Sequence, residues 1–571
     1  MTTFRVWAPK ARDVQLDLAG RPVRMAPAGG GWHEASVDDV ESDTDYGFRL
    51  DGGPLRPDPR SPFQPEGVHG PSRHLDHGAF PWTDEGWRGF HLPSAVLYEL
   101  HVGTFSPEGT FDGAILLLDH VVDLGVTAVE VMPVAEFSGA AGWGYDGVDL
   151  WAVHSAYGGP DGFKRFVDAC HARGLGVVLD VVYNHFGPEG NYVAEFGPYL
   201  TNFYSTPWGA AVNYDQAGSD EVRRFAVDNA LMWLRDYHVD GLRLDAVHAI
   251  VDTSAVHLLE QLATGVHELA AVVGRPLALI AESDLNDPRL VRPREAGGYG
   301  LDAQWSDDFH HALHTVATGE GAGYYEDFGA MADLATALSS AFVYAGRRSV
   351  HRNRRHGRPP TGVPGWSFLG YSQNHDQVGN RATGDRLAAS LSPARLRMVA
   401  ALYLTSPFVP MVFQGEEWGA STPFQYFTSH EEPELGRAVS AGRRAEFAAF
   451  GWRGEEVPDP QDLATFERSK LDWDEPERDP HTGLLEWYVD LIALRRRTPD
   501  LSDGRLDKVR AVVDEEARWL VVERGSVTIA ANFGPSEATP PIRPGRILLA
   551  SDPGASAERL PPDSVVIVGP A

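Results

Sequence analysis

The sequence contains a single cysteine, Cys170, among 571 residues, which excludes an intramolecular disulfide framework. No run of about 18 apolar residues indicates a membrane span. The opening stretch, MTTFRVWAPKARD, lacks the apolar segment of a secretory signal. Together these absences predict a protein of a reducing, cytoplasmic compartment without a membrane partner.

Basic residues are also scarce, because 49 Lys and Arg stand against 80 Asp and Glu and give a formal net charge of −31. Such a charge repels phosphate backbones and anionic lipids, so nucleic acid is not an expected partner. The metal-binding motifs HExxH and CxxC are missing, and the imidazoles of His310 and His311 would face different sides of a helix. We therefore expect neither a metal nor another cofactor.

The length predicts about three domains at roughly 100–200 residues each, and the apolar patterns divide the chain accordingly. Residues 1–90 alternate apolar and polar side chains between Gly and Pro clusters, which predicts a β-sandwich. Within it, the Pro-rich segment 56–73 is expected to be an irregular connector. Residues 91–500 should form the catalytic domain, with 186–218 as an inserted subdomain, and residues 501–571 a C-terminal β-domain.

The central region repeats a pattern of continuous apolar runs separated by amphipathic stretches, which is typical of buried parallel strands with helical crossovers. The expected strands are 95–102, 126–134, 176–182, 241–247, 276–282, 300–306, 367–373 and 408–414. Eight such units predict a (β/α)₈ barrel with its active site at the C-terminal rim of the strands. The alternative, a doubly wound open sheet, would normally carry a GxGxxG-type turn, which is absent.

Local signals define the ends of individual helices in this region. Gly174 is expected to end one helix in a left-handed conformation, just before the strand 176–182. The stretch 219–238 predicts another helix, opened by a side-chain cap from Ser219 or Asp220.

Three acidic residues lie where the barrel prediction expects chemistry, since Asp245, Glu282 and Asp376 each follow an apolar strand segment. A lone acid at a strand end is more often a helix cap or an ion-pair partner than a catalyst. Three together, with Arg243 two residues before Asp245 on the same strand face, are better explained by catalysis. The guanidinium would keep the Asp245 carboxylate ionised.

Four short segments then identify a family. DVVYNH (180–185), GLRLDAVH (241–248), AESD (281–284) and NHDQ (374–377) resemble, in order and spacing, the four sequence regions of the α-amylase superfamily of glycoside hydrolases. The resemblance spans the whole predicted barrel, and it implies that the N-terminal β-sandwich is similar to carbohydrate-binding modules.

The resemblance implies a role for each of the three acids. Asp245 would be the nucleophile, Glu282 the general acid and base, and Asp376 the residue that binds sugar hydroxyls and stabilises the transition state. Retaining cleavage requires two carboxyl groups about 5–5.5 Å apart, and the acid among them needs a raised pKa. Neighbouring carboxylates and the apolar strand end would raise the pKa of Glu282.

The resemblance also implies sugar contacts around these acids. His185 and His375 would hydrogen-bond hydroxyls and Tyr145 would be a stacking platform, while Arg243 would lie against the nucleophile with Asp180 orienting it. Polar and aromatic residues beyond other strands are further candidates for the substrate end, although helix capping or core packing would explain them equally well. They are Trp305, Asp307, Asp308, His310 and Glu417.

The stretches GWGYDGVDLWAVHSAYGGPDGF and GEEWGASTPFQYFTSH resemble the trehalose-releasing group of the superfamily. This implies hydrolysis of the α-1,4 bond next to the terminal trehalose of maltooligosyltrehalose, with trehalose and a maltooligosaccharide as products. A glycogen branching or debranching enzyme that acts on α-glucan is the alternative. A catalytically inactive carbohydrate-binding protein is disfavoured, because all three acids are present.

Overall fold

A computed structural model of the protein describes residues 1–448, 453 and 456–570. The N-terminal part forms two antiparallel sheets, in the orders β1-β5-β4 and β3-β2-β6-β7, with β8 paired to β6. The strands are β1 (Thr2–Trp7), β2 (Val14–Leu18), β3 (Arg21–Arg24), β4 (Ala26–Gly29), β5 (Trp32–Val37), β6 (Asp45–Leu50), β7 (Leu55–Arg56) and β8 (Ser72–Arg73). Phe4 packs on Tyr46 across the two sheets, with ring centroids 4.8 Å apart. The predicted β-sandwich is thus present.

Eight parallel strands of the central region close into a barrel, in the order β9-β10-β13-β16-β17-β18-β21-β22. The strands of this region are β9 (Leu97–Leu100), β10 (Ala128–Val131), β11 (Ala135–Glu136), β12 (Asp149–Val153), β13 (Gly176–Val181), β14 (Leu200–Thr206), β15 (Gly209–Val212), β16 (Gly241–Leu244), β17 (Ala278–Ala281), β18 (Ala303–Trp305), β19 (Arg348–Ser349), β20 (Arg354–Arg355), β21 (Phe368–Gly370) and β22 (Val409–Phe413). Each barrel strand lies inside one of the eight predicted segments. The (β/α)₈ prediction is confirmed.

Helices surround the barrel and connect its strands. They are α1 (Val102–Phe105), α2 (Phe111–Ile115), α3 (Leu118–Leu124), α4 (Gly159–Ala172), α5 (Val193–Phe196), α6 (Ser219–Asp236), α7 (Leu258–Val273), α8 (Asp307–Thr318), α9 (Met331–Ser340), α10 (His375–Gly379), α11 (Pro393–Leu404), α12 (Pro433–Ala448), α13 (Leu463–Arg468), α14 (His481–Arg497) and α15 (Pro499–Ser502). Gly174, two residues after the end of α4, has φ of 77°, which is the left-handed conformation expected at a helix terminus.

Two local predictions need correction. Helix α6 begins at Ser219, but its cap is Gly218 in the left-handed region and no side chain caps the helix. Glycine reaches this conformation without steric cost, so a capping side chain is not needed for the turn. The connector 56–73 begins and ends in two-residue strands that pair with β6, and its interior is irregular.

The segment 186–218 folds into α5 and the β14–β15 hairpin above the barrel. The N-terminal sheets pack on it, since Trp7 contacts Tyr199 with ring centroids 5.4 Å apart. Arg56 also forms a 2.8 Å ion pair with Glu195 of α5. The N-terminal part therefore supports the inserted segment rather than lying apart from it.

The last five strands form one antiparallel sheet, in the order β23-β24-β25-β27-β26. They are β23 (Val509–Asp514), β24 (Trp519–Arg524), β25 (Val527–Asn532), β26 (Arg546–Ala550) and β27 (Ser564–Gly569), and the sheet packs on α9 and α11 of the barrel. The division at residues 90 and 500 stays a prediction. In the described part of the chain, no helix has the length and apolar character needed to cross a bilayer.

Candidate active site

Asp245 and Glu282 lie side by side at the C-terminal rim of the barrel. Strands β16 and β17 pair in parallel, with Leu244 opposite Ala281, and the two acids are the next residues along each strand. The Glu282 amide donates to the carbonyl of Leu244 at 3.0 Å, which fixes their relative height. The register of two neighbouring strands therefore places both carboxyl groups at one level.

Arg243 connects these acids through its buried guanidinium. Its Nη1 lies 2.9 Å from Asp245 Oδ1 and 2.9 Å from both carboxylate oxygens of Asp180, while Nη2 lies 3.5 Å from Glu282 Oε2. One guanidinium group therefore contacts both rim acids and spans the distance between them. This spacing is compatible with the separation that retaining glycoside cleavage requires. Arg243 was predicted among the substrate-binding residues. Because it is fully buried, it contacts the acids and not the solvent.

The surroundings of Glu282 favour its protonated form. Burial raises the pKa of Glu282 to about 8, and the nearby carboxylates of Asp245, Asp376 and Asp307 add to this effect, while Arg243 opposes it. Its Oε2 also accepts the amide proton of Ala246, whose φ of 38° turns the chain toward it. Strained backbone of this kind is concentrated at functional sites.

Asp376 lies in the first turn of α10, after the helix cap Asn374. Its side chain is 41% exposed, so it is the most accessible of the three acids. Oδ1 accepts from Asn380 Nδ2 at 3.1 Å. Asn380 also lines a cavity of about 810 Å³ that includes the rings of Tyr324 and Tyr426. The acid therefore borders open space on one side of the cleft.

His375 and Tyr145 form a network behind the acids. Nε2 of His375 lies 2.8 Å from Tyr145 Oη, which donates at 2.6 Å to Oδ2 of Asp180. The two rings stack with centroids 5.2 Å apart. Since His375 is buried and Glu99 holds its Nδ1, the predicted hydrogen bond from His375 to sugar is not available in this arrangement.

His185 lies against the inserted hairpin. Trp208, between β14 and β15, stacks on the His185 ring at 4.6 Å and nearly parallel. Nε2 of His185 bonds the carbonyl oxygen of Tyr145 at 2.9 Å. Nδ1 is buried and has no partner among the described residues, so it remains an unsatisfied polar atom beside Trp208.

Asp307 is the one residue of the further candidates that is not fully buried. It is half-buried at the start of α8, accepts from Tyr371 Oη at 2.5 Å, and contributes to the raised pKa of Glu282. Burial in turn raises the pKa of Asp307 to about 6.

Four other candidates do not fit a sugar-contacting position, because they are buried against protein groups. Trp305 packs under Arg243, with Cζ 4.3 Å from its ring. Asp308 accepts from Asn286 and from two backbone amides, His310 contacts Tyr325 Oη, and Glu417 accepts from Tyr98 and His120. A position just beyond a strand indicates depth along the barrel axis, but it does not give the direction of the side chain.

Sequence reasoning missed three residues of this region. Trp208 reaches His185 only through the docking of a hairpin, so no local pattern could reveal it. Glu99 and Glu130 each interrupt an apolar strand segment. A single charged residue in such a segment can be recognised from the sequence alone. Among the described residues, no cluster of three or more His, Cys, Asp or Glu side chains is arranged to hold a metal ion.

Comparisons with known proteins agree with this geometry. The model of the family "Alpha amylase, catalytic domain" matches residues 83–205, and a domain of unknown function, DUF3459, matches residues 504–567. A solved structure described as a putative alpha amylase from Salmonella typhimurium is 41% identical, with a TM-score of 0.93 over 100% of this chain and 97% of that one.

Curated relatives define the family more closely. A 1,4-alpha-glucan branching enzyme of Bacillus caldolyticus is 32% identical, over only 53% of this chain and 51% of its own. Malto-oligosyltrehalose trehalohydrolase of Arthrobacter ramosus is 54% identical, over 95% of this chain and 93% of its own. The chain therefore belongs to the malto-oligosyltrehalose trehalohydrolase family, glycoside hydrolases with an α-amylase catalytic domain.

Proposed function

We propose that this protein hydrolyses the α-1,4-glucosidic bond next to the terminal trehalose of maltooligosyltrehalose, with retention of anomeric configuration. Trehalose and a maltooligosaccharide are the products, which makes the reaction a step of trehalose formation. The observation that carries the proposal is the single guanidinium of Arg243, which touches both Asp245 and Glu282. Relatives named for this reaction support the choice of substrate.

In the first step, a carboxylate oxygen of Asp245 attacks the anomeric carbon as the bond to the trehalose oxygen breaks. Glu282 delivers its proton to that oxygen, so trehalose leaves with a hydroxyl group. In the second step, the Glu282 carboxylate takes a proton from water, and the water oxygen attacks the same carbon and releases Asp245. Two displacements restore the original α configuration.

The substrate contacts that we propose come from both sides of the cleft. Tyr145 supplies an aromatic face for the sugar that is cleaved, and His185 Nδ1 binds one of its hydroxyls. Asp376 and Asp307 supply carboxylate acceptors near the reacting bond. The cavity beside Asp376 is large enough to take further glucose units.

The experiment that tests this function is incubation of the purified protein with maltotriosyltrehalose and separation of the products by chromatography. We expect equal amounts of trehalose and maltotriose. A change in the branch content of amylopectin, without cleavage of the trehalose-ended substrate, would support a branching or debranching enzyme instead.

The pH dependence follows from the raised pKa of Glu282. The proton that Glu282 must donate is lost as pH rises through about 8, so kcat/KM should fall above that pH. The measurement is kcat/KM for maltotriosyltrehalose across neutral and alkaline pH. A profile that stays flat well above the pKa of Glu282 would mean that another group supplies the proton.

A further inference from the structure

Two glutamates lie next to each other inside the barrel, below the rim acids. Glu99 of β9 and Glu130 of β10 are paired residues of neighbouring parallel strands. Each lies two residues after an apolar residue of the barrel interior, Leu97 and Ala128, so both side chains point inward. Both are 1% exposed. Two carboxylates in one dry layer repel each other and lack solvent, so both cannot be ionised at low cost.

The two side chains differ sharply in their partners. Glu99 Oε2 accepts the backbone amide proton of His375 at 3.0 Å, and Oε1 lies 2.5 Å from His375 Nδ1. Neither carboxyl oxygen of Glu130 has a hydrogen-bond partner in the part of the chain that the structure describes. Hydrogen-bond donors stabilise the ionised form of an acid, whereas burial without such donors stabilises the neutral form.

The contacts of both His375 ring nitrogens fit a charged ring. Burial raises the pKa of Asp180 to about 7, but Arg243 opposes this and donates to both of its oxygens. The Tyr145 hydroxyl donates its one proton to Asp180 as well, so its oxygen accepts from Nε2 of His375. Nδ1 faces Oε1 of Glu99, whose other oxygen already accepts the His375 amide proton, so Nδ1 is best placed to donate as well. The ring with both nitrogens protonated is an imidazolium.

The charges around the ring agree with this assignment. Burial opposes the charge, but Glu99 and Asp376 overcome it and raise the pKa of His375 to about 9. Burial raises the pKa of Glu130 well above its ordinary value, and the nearby carboxylates Glu99 and Asp180 raise it further. The titratable and charged groups that surround His375 are Glu99, His101, Glu130, Tyr145, Asp180, Arg243 and Asp376.

We propose that Glu99 and Glu130 are a divided acid pair, in which ionised Glu99 keeps His375 charged and oriented while Glu130 stays a neutral carboxylic acid. Glu99 is then a positioning residue, which acts through His375 on the Tyr145 ring and on Asp376, whose Oδ1 lies 3.7 Å from Nε2. The link to turnover rests on the proposed function. The division of charge rests on the contacts of the two side chains alone.

The matched variants Glu99→Gln and Glu130→Gln test the division, because each replaces a carboxyl group by an amide of the same shape. We expect Glu99→Gln to lower kcat/KM about 100-fold at neutral pH, as does the loss of one electrostatic group from an active site. Its alkaline limb, which Glu282 sets in the native enzyme, should also move to lower pH by about one unit or more, because without the Glu99 carboxylate His375 loses its proton before Glu282 does. Glu130→Gln should stay within about twofold of the native enzyme, since an amide resembles the neutral acid.

Glu99→Asp serves as the conservative variant and guards against a folding defect. It keeps the negative charge, so its alkaline limb should stay near that of the native enzyme even where kcat falls. Circular dichroism and thermal unfolding establish that each variant is folded. Equal losses in Glu99→Gln and Glu130→Gln, or a Glu99→Gln profile with an unmoved alkaline limb, would overturn the proposal.

Infrared difference spectra provide a readout that does not require turnover. At neutral pH, the native protein minus Glu130→Gln should show the carbonyl stretch of a protonated carboxylic acid, and the native protein minus Glu99→Gln should show only a carboxylate band. If this pattern appears in a protein that does not cleave maltotriosyltrehalose, the charge division stands and the proposed function fails. If the protein cleaves the substrate but the protonated band is absent, the division is overturned and the function stands.

Discussion

Replacement of Asp245 by Asn is expected to lower kcat by at least about 10⁴-fold, the scale seen when an essential catalytic group is removed. This corresponds to about 5.4 kcal/mol of activation free energy. The amide cannot form the covalent ester with the anomeric carbon, whereas its oxygen can still accept from Arg243. KM should change little, because the substrate contacts that we propose lie on other residues. Steady-state kinetics with maltotriosyltrehalose is the measurement.

Chemical rescue distinguishes a nucleophilic role of Asp245 from a role as ion-pair partner of Arg243. In Asp245→Gly, added azide should restore turnover and yield a sugar azide of opposite anomeric configuration, since only one displacement occurs. Asp180→Gly is the matched control, because Asp180 contacts the same Nη1 of Arg243 at the same distance. Azide should not rescue it. Near-native turnover in Asp245→Asn would remove Asp245 from its proposed role.

Replacement of Glu282 by Gln is expected to lower kcat/KM for maltotriosyltrehalose by about 10²- to 10⁴-fold, because trehalose is a poor leaving group without a proton. A maltosyl fluoride needs no such proton. With it, the variant should release a burst of fluoride and then turn over slowly, because the second step still lacks its base. The alkaline limb near the pKa of Glu282 should disappear from the residual activity.

Glu416→Gln is the control for this second variant. Burial raises the pKa of Glu416 to about 7, but its carboxylate lies in the core, where it accepts from Ser372 and Tyr488. The control should keep the alkaline limb of the native enzyme. Absence of the fluoride burst in Glu282→Gln would contradict its role as the acid.

The fold could be predicted far more completely than the site. Apolar runs bounded by Gly, Pro and polar residues located every barrel strand, because burial on both faces leaves a continuous signal along a parallel strand. The rim acids followed from the same signal, since the chain becomes polar where a strand leaves the core. Helix α6 shows the limit, because the left-handed Gly218 replaced the expected side-chain cap.

The direction of a side chain could not be predicted in the same way. Asp307 and Asp308 are neighbours in sequence, yet one borders the cleft and the other binds backbone amides of residues 343 and 344. The difference depends on how a distant segment packs against α8, which the local sequence does not encode. For Glu99 and Glu130 the sequence is more informative. A lone acidic residue within an apolar strand indicates that the folded protein must stabilise a buried carboxyl group there.

In the proposed reaction, Asp245 is the nucleophile and Glu282 is the acid and base on the same glycosidic bond, which reacts in two successive displacements. The most direct measurement follows the anomeric proton signals of newly released maltotriose by NMR during the first minutes of hydrolysis, before mutarotation. We predict that the α anomer appears first and the β anomer grows in later. Initial release of the β anomer would show a single displacement by water and would contradict the account.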